Sequence, residues 1–389
     1  MRQKSIFKIL IPVLVLFSCK KDKTTVPPAE NKLNMEKVEK RMDFILNELK
    51  VPGMAVALTD QDKIIWHREG GFARLQEKVK VNENTIFKLA SIAKPMIALS
   101  AMRLVEEGRL DLDKNINDYL PFEIVNPHCA TYKITMRHLL SHTSGITDRI
   151  YGNTFDFMIS GADHPLDLAG FVSSFIHKNG KYYNTGTFSD AEPGTAYIYT
   201  NTGASLAAYV IECIAKTSFD QFSSKLLFNA LGKENLYWHL RDFPAGRLAY
   251  GHYLDYTQTG IFSIADYASG GLHGTATDLA RFSQLLLNNG RMAGTQVISG
   301  KSLDEMKKIP FPLANARHGL FLESIPLSSG AHLYGYNGNM IGYGSYMYVV
   351  PEKKRGVVIL FNYQSAEDNL QSEKIRAELN KLLGDLLDI

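Results

Sequence analysis

The sequence of 389 residues has three cysteines, almost no net charge and no apolar run of bilayer-spanning length. Each shortage excludes something. Lys and Arg number 43 against 40 Asp and Glu, a net charge of +3. Arg2, Lys4 and Lys8 supply that excess, and no acid precedes Cys19. Without that segment the chain is neutral. A nucleic-acid partner is not expected, because such binding needs a surplus of phosphate-neutralising charge. The 11 histidines are scattered, with no two-His helical motif, and the cysteines show no paired spacing. Neither a catalytic metal nor another cofactor is expected. What is present is ordinary for a folded chain: 45% hydrophobic and 21% charged residues, enough to bury a large core. General disorder is excluded.

The N-terminus reads as an export signal over residues 1–18. Arg2, Lys4 and Lys8 form a basic start, and Ile9 to Phe17 form an apolar run far below the roughly 20 residues that span a bilayer. Leu16-Phe17-Ser18-Cys19 resembles the bacterial lipobox, with Cys19 as the lipidated residue; the alternative is a plain secretory signal with a chance Cys. Residues 19–34 are polar, contain Pro27-Pro28 and read as a flexible tether. The expected location is the bacterial cell envelope, with lipid chains anchoring the protein to a membrane. An oxidising envelope permits a disulfide between Cys129 and Cys213. Sequence cannot place them within bonding distance, and Cys213, in the apolar run 204–215, reads as a buried free thiol.

One domain is expected over residues 35–389. Met35, Val38, Met42, Ile45 and Leu49 repeat at helical spacing, and Pro52-Gly53 stops that helix. Residues 54–59 and 63–67 are β-rich and flank Asp60-Gln61-Asp62, a hairpin pattern. Residues 91–107 look helical. From 110 to about 266, helical pieces alternate with loops. Residues 277–289 form an amphipathic helix, strands return at 344–350 and 356–362, and 370–387 closes the chain as a helix. Neither strand group is stable alone. The fold class that satisfies both is α/β (α+β): a central antiparallel sheet from both chain ends, flanked by helices. The terminal helices should cover one face and the Ser91 helix the other, with a mostly helical subdomain inserted at 110–266. The site should lie between the two parts.

Chemistry concentrates at Ser91-Ile92-Ala93-Lys94. Three residues apart on a helix, Ser and Lys share a face, and an amine near the hydroxyl can take its proton, as a serine nucleophile requires. Ser91 would open its helix, where unpaired N–H groups favour developing negative charge. Pro95 is tolerable only near such a first turn. The string alone is weak, since Ser5/Lys8 and Ser18/Lys21 match it. Tyr199-Thr200-Asn201 follows Pro193-Gly194-Thr195 and precedes a helical run. A phenol near a lysine should ionise more easily and serve as general base and acid. The Asn201 amide can hold Lys94 and a substrate carbonyl.

Ser91-x-x-Lys94, Leu139-Leu140-Ser141-His142-Thr143-Ser144-Gly145, and Pro193-Gly194 before Tyr199-x-Asn201 together resemble the serine β-lactamase-related, penicillin-binding-protein-like hydrolases. That group includes class C β-lactamases, D-Ala-D-Ala carboxypeptidases and related esterases. The resemblance runs from about Met35 to the C-terminus and implies a β-lactamase/transpeptidase-like fold. It also implies acylation of Ser91, with Lys94 and Tyr199 handling protons. The family's third motif, Lys-Thr-Gly or His-x-Gly on an edge strand, matches Tyr336-Asn337-Gly338-Asn339. These four, with Asn201, are the expected substrate-binding residues. The amides of Ser91 and Asn339 would form an oxyanion hole. Tyr336 stands where relatives carry a cation for a substrate carboxylate. Its neutrality points away from β-lactams and D-Ala-D-Ala peptides, towards uncharged esters or amides. His142 tempts a Ser-His reading, but in the resembling family its segment is a structural turn. His273 either lines the site or satisfies a loop. The expected function is a serine hydrolase acting on a small molecule or short peptide. The alternatives are a D-Ala-D-Ala carboxypeptidase or weak β-lactamase, and a catalytically impaired binding or assembly lipoprotein.

Overall fold

The first described helix is α1, Ala29–Asn47, whose Val38, Met42 and Ile45 are buried at helical spacing. It therefore takes in residues 29–34, which polar composition assigned to a tether. The computed structural model describes residues 29–149, 157–231, 236–365 and 369–388. The export signal, Cys19 and the rest of the tether lie outside the described residues.

Past Pro52 the chain forms β1 (Gly53–Thr59), β2 (Ile64–Arg74), β3 (Val79–Lys80) and β4 (Phe87–Lys88), then α2 (Ala93–Glu106). The middle contains α3 (Met136–Leu140), β5 (Met158–Ser160), α4 (Leu168–Phe175), α5 (Asn201–Ala215), α6 (Phe219–Ser223), β6 (Leu236–Tyr237) and β7 (Phe262–Ile264). There follow α7 (Tyr267–Gly270), β8 (His273–Gly274), α8 (Ala276–Leu287), the hairpin β9 (Arg291–Met292) and β10 (Thr295–Gln296), and α9 (Gly300–Lys307). The last quarter holds β11 (Glu323–Pro326), β12 (His332–Met340), β13 (Tyr343–Val350), β14 (Arg355–Phe361) and α10 (Leu370–Leu387).

Both chain ends build one antiparallel sheet of seven strands, ordered β11-β12-β13-β14-β1-β2-β3. The joint between them is β1 with β14, from Met54 opposite Phe361 to Thr59 opposite Gly356. Alternation along β1 sets the two faces. Met54, Val56 and Leu58 meet Val38, Met42 and Ile45 of α1 and Ile375, Leu379 and Leu382 of α10. Ala55 and Ala57 point to the other face, where their small size lets a helix approach. That helix is α8, which packs directly on β1, β13 and β14. Sequence reasoning gave this role to the Ser91 helix. Instead α2 packs on α5, α7 and α9, one layer further into the helical part. Its buried Met96, Ile97, Ala98, Leu99 and Ala101 show why: α2 is apolar on nearly every side and needs neighbours all round. Cys129 and Cys213 are free. Among the described residues no helix is long and apolar enough to cross a membrane.

Candidate active site

The residues before Ser91 are tied down on both sides. β4 pairs with β8, the Leu89 N–H donates to Leu272 O at 2.8 Å, and the Ser345 hydroxyl donates to Leu89 O at 2.7 Å. The chain then turns sharply at Ala90, whose φ of +50° is unfavourable for a residue with a side chain. Backbone strain of this kind costs about 1–3 kcal/mol and persists only where the surroundings enforce it. Ser91 sits in the short 3₁₀ turn Ala90–Ile92, directly ahead of α2. From the sheet side, β12 passes so close that a Cβ on Gly338 would lie 2.5 Å from Leu89 O and 2.8 Å from Ser91 N. Only glycine fits there. β11 pairs with β12 only as far as Gly335, so from Tyr336 to Met340 β12 has β13 alone as a strand partner.

Lys94 lies in the first turn of α2, fully buried. Its Nζ is 3.1 Å from Ser91 Oγ and donates to Asn201 Oδ1 and Ser269 O, each at 2.8 Å. Burial pulls its pKa down to about 7, against the opposing pull of Asp266 and Asp148. A neutral amine has two N–H groups and one lone pair. The two carbonyl oxygens take the N–H groups, which leaves the lone pair directed at the Ser91 hydroxyl. The same contacts therefore suit an ammonium as a threefold donor and an amine as a base.

Tyr199 brings the third group from the helical part. Its Oη is 2.5 Å from Ser91 Oγ, and its ring, 39% exposed, forms an open wall of the cleft. The Lys94 ammonium lies 4.8 Å from the ring centroid. Sequence reasoning expected the lysine to ease ionisation of this phenol. The opposite holds: desolvation pushes the phenol up, and the Ser91 hydrogen bond only partly opposes it. At neutral pH Tyr199 is a proton donor, not a phenolate.

Two residues hold Tyr199-Thr200-Asn201 in place. Asp148 caps the start of α5, accepting from the Thr200 hydroxyl at 2.8 Å and from the N–H groups of Asn201 at 2.6 Å and Thr202 at 3.0 Å. It was not legible in the sequence, because its partners lie more than 50 residues away. Asp148→Ala strands three donors. It should lower kcat/KM by about 10- to 100-fold through a misplaced Tyr199, and stability by about 1–2 kcal/mol. Steady-state kinetics and a thermal melt on the same preparation test both. His142, at φ +56°, accepts the Thr200 N–H on Nδ1 at 3.3 Å, which leaves its proton on Nε2, 3.1 Å from Tyr336 Oη. Burial, assisted by Lys94, pushes its pKa well below the ordinary value. His142 thus orients neighbours as a neutral ring and makes no hydrogen bond to Ser91.

The third-motif strand needs correction. Tyr336 is 2% exposed, bonded to His142 and edge-on to the His318 ring, so it offers no open surface to a substrate. Strand alternation puts Asn337 on the opposite face, where its amide donates to Glu323 at 3.3 Å and Tyr348 at 3.2 Å. Asn337 does not reach the cleft. Gly338 abuts Ser91 as described. Asn339 is exposed, and its side chain accepts from Ser365 at 3.4 Å. Among the described residues no cluster of three or more His, Cys, Asp or Glu could hold a metal ion.

Comparison with known proteins gives a consistent outcome. A family profile described as Beta-lactamase matches residues 36–380. Penicillin-binding protein 4* of Bacillus subtilis is 24% identical over 347 residues, covering 84% of this chain and 71% of that protein. Protein flp of Staphylococcus aureus is 22% identical over 85% of this chain; the chain spans 64% of flp, just under two thirds. Among solved structures, the D-amino acid amidase from Ochrobactrum anthropi SV3 superposes with a TM-score of 0.71 at 20% identity, over 90% of this chain and 99% of that one. EstCE1, described as a hydrolase with promiscuous acyltransferase activity, gives 0.70 at 19% identity over 90% and 100%.

Proposed function

The chain belongs to the beta-lactamase family of serine hydrolases, and from that premise we propose that it cleaves neutral ester or amide bonds through an acyl-enzyme on Ser91. The observation that carries this is the convergence on Ser91 Oγ of Lys94 Nζ at 3.1 Å and Tyr199 Oη at 2.5 Å. Neutral Lys94 takes the Ser91 proton as Oγ bonds to the substrate carbonyl carbon. The Ser91 and Asn339 N–H groups receive the oxyanion. The intermediate collapses with cleavage to the leaving group, which takes a proton from Tyr199, and the proton held by Lys94 restores the phenol. Water then attacks the acyl-enzyme, gives up its proton to the same pair and releases the acid with Ser91 regenerated. Asn201 holds Lys94 in register throughout.

The substrate preference follows from the Tyr336–His142 pair. Both are neutral and bonded to each other, so the position offers no charge to a carboxylate. A charge-assisted contact is roughly twice as strong as a neutral one. A panel of p-nitrophenyl butyrate, a D-alanyl-D-alanine peptide and nitrocefin tests this. The neutral ester should give the highest kcat/KM, by about 100-fold or more. Nitrocefin turnover at rates typical of dedicated β-lactamases would overturn the preference. Export and lipid anchoring through Cys19 complete the proposal. Metabolic labelling with a fatty-acid analogue should mark the wild type and not Cys19→Ser.

A further inference from the structure

Apart from the acylation cleft lies a cavity of about 320 Å³, lined by Lys88 of β4 and His273 of β8 among others. It opens between α4, α6 and the segment 238–241, and Ser91, Lys94 and Tyr199 do not line it. Its volume suits a small ligand. Two of its lining side chains are buried and under-bonded. Lys88 is 2% exposed; among the described residues its Nζ makes one hydrogen bond, to Phe262 O at 2.9 Å, lies 4.1 Å over the Phe262 ring, and feels the pull of Asp266 and of Asp163, which also lines the cavity. His273 is 2% exposed; the carbonyls of Tyr237 and Gly271 approach its ring, but neither nitrogen closes a hydrogen bond. Buried polar groups in that state call for a partner.

Acidic side chains line the same cavity. Glu212, Asp167 and Asp220 line the cavity close enough to repel one another electrically. Asp220 lies 3.1 Å from His239 Nε2, and Asp167 accepts the Gly170 N–H at 2.7 Å. Among the described residues Glu212 accepts one hydrogen bond, from Phe219 N at 2.7 Å. The Tyr267 and Trp238 rings complete that side and offer faces to a cation. The cavity thus holds two donor side chains with few partners, Lys88 and His273, and a carboxylate with one, Glu212, beside aromatic rings.

We propose that this cavity binds a small zwitterion, its carboxylate held by Lys88 and His273 and its ammonium held by Glu212 beside Tyr267. The site is separate from the acylation cleft. Tyr267 and Gly271 flank Ser269, whose carbonyl holds Lys94, so an occupant touches the segment that positions the base.

Isothermal titration of the full chain with glycine, β-alanine and 4-aminobutyrate tests the site, with acetate and ethylamine as single-pole probes. At least one amino acid should bind about tenfold or more tightly than either single-pole probe. Lys88→Met and Glu212→Gln should each weaken it about tenfold or more. Gln221→Trp, at an exposed position lining the cavity whose side chain bonds only Thr217 among the described residues, should block entry even if the buried variants do not fold. Binding should persist after Ser91 is blocked with a fluorophosphonate. Failure of all three amino acids to bind would overturn the assignment. So would binding abolished by the Ser91 block, or binding indifferent to Gln221→Trp.

Discussion

Lys94→Met is expected to lower acylation about 10³-fold or more while the protein stays folded. Met keeps the length of the stem within a fully buried site, so packing survives while the amine is lost. The wild-type rate should climb about tenfold per pH unit below 7 and level off above it. The sign follows from the form required: the base works as the neutral amine, and burial has brought its pKa down from 10.5 to about 7. Below that value Lys94 is an ammonium whose three N–H groups are taken up by Ser91, Asn201 and Ser269, and it accepts nothing. The residual activity of Lys94→Met should lose this inflection. A variant that keeps the inflection near 7 would assign the base to another group.

Ser91→Ala is expected to abolish turnover, by about 10⁴-fold or more, with a melting temperature within a few degrees of wild type. The Oγ–H joins Lys94 and Tyr199, but the backbone that positions residue 91 is held by Leu89, Ser345 and Gly338, none of which needs the hydroxyl. Asn201 and Ser269 still hold Lys94. Steady-state rates on a p-nitrophenyl ester, beside a thermal melt, separate lost chemistry from lost fold. Turnover within tenfold of wild type would remove Ser91 from the mechanism.

What could be read in the sequence was local. Ser91 and Lys94 sit three residues apart, so one turn decides their encounter, and Tyr199 and Asn201 flank a Thr that caps a helix. The early hairpin and the late strands were visible because β1 and β14 run apolar over six residues each. The long-range partners were not legible. Asp148 meets α5 across 53 residues and carries no local pattern. The direction of the Tyr199 shift depends on desolvation, which no spacing shows. Tyr336 was misjudged for a different reason. Period-two alternation does separate Tyr336 and Gly338 from Asn337 and Asn339, but nothing in the sequence tells that His142 closes over Tyr336. The place of α2 was missed likewise, since its apolar surface wraps the helix and names no single face.

The most direct test is to trap the covalent intermediate. The purified chain is mixed with a slowly deacylating p-nitrophenyl ester, quenched in acid, digested and mapped by mass spectrometry. The account predicts one added acyl group, on the peptide that contains Ser91, forming at the rate of the p-nitrophenol burst and absent from Lys94→Met on the same timescale. Turnover with an unmodified Ser91 peptide, or the acyl group on any other side chain, would contradict it.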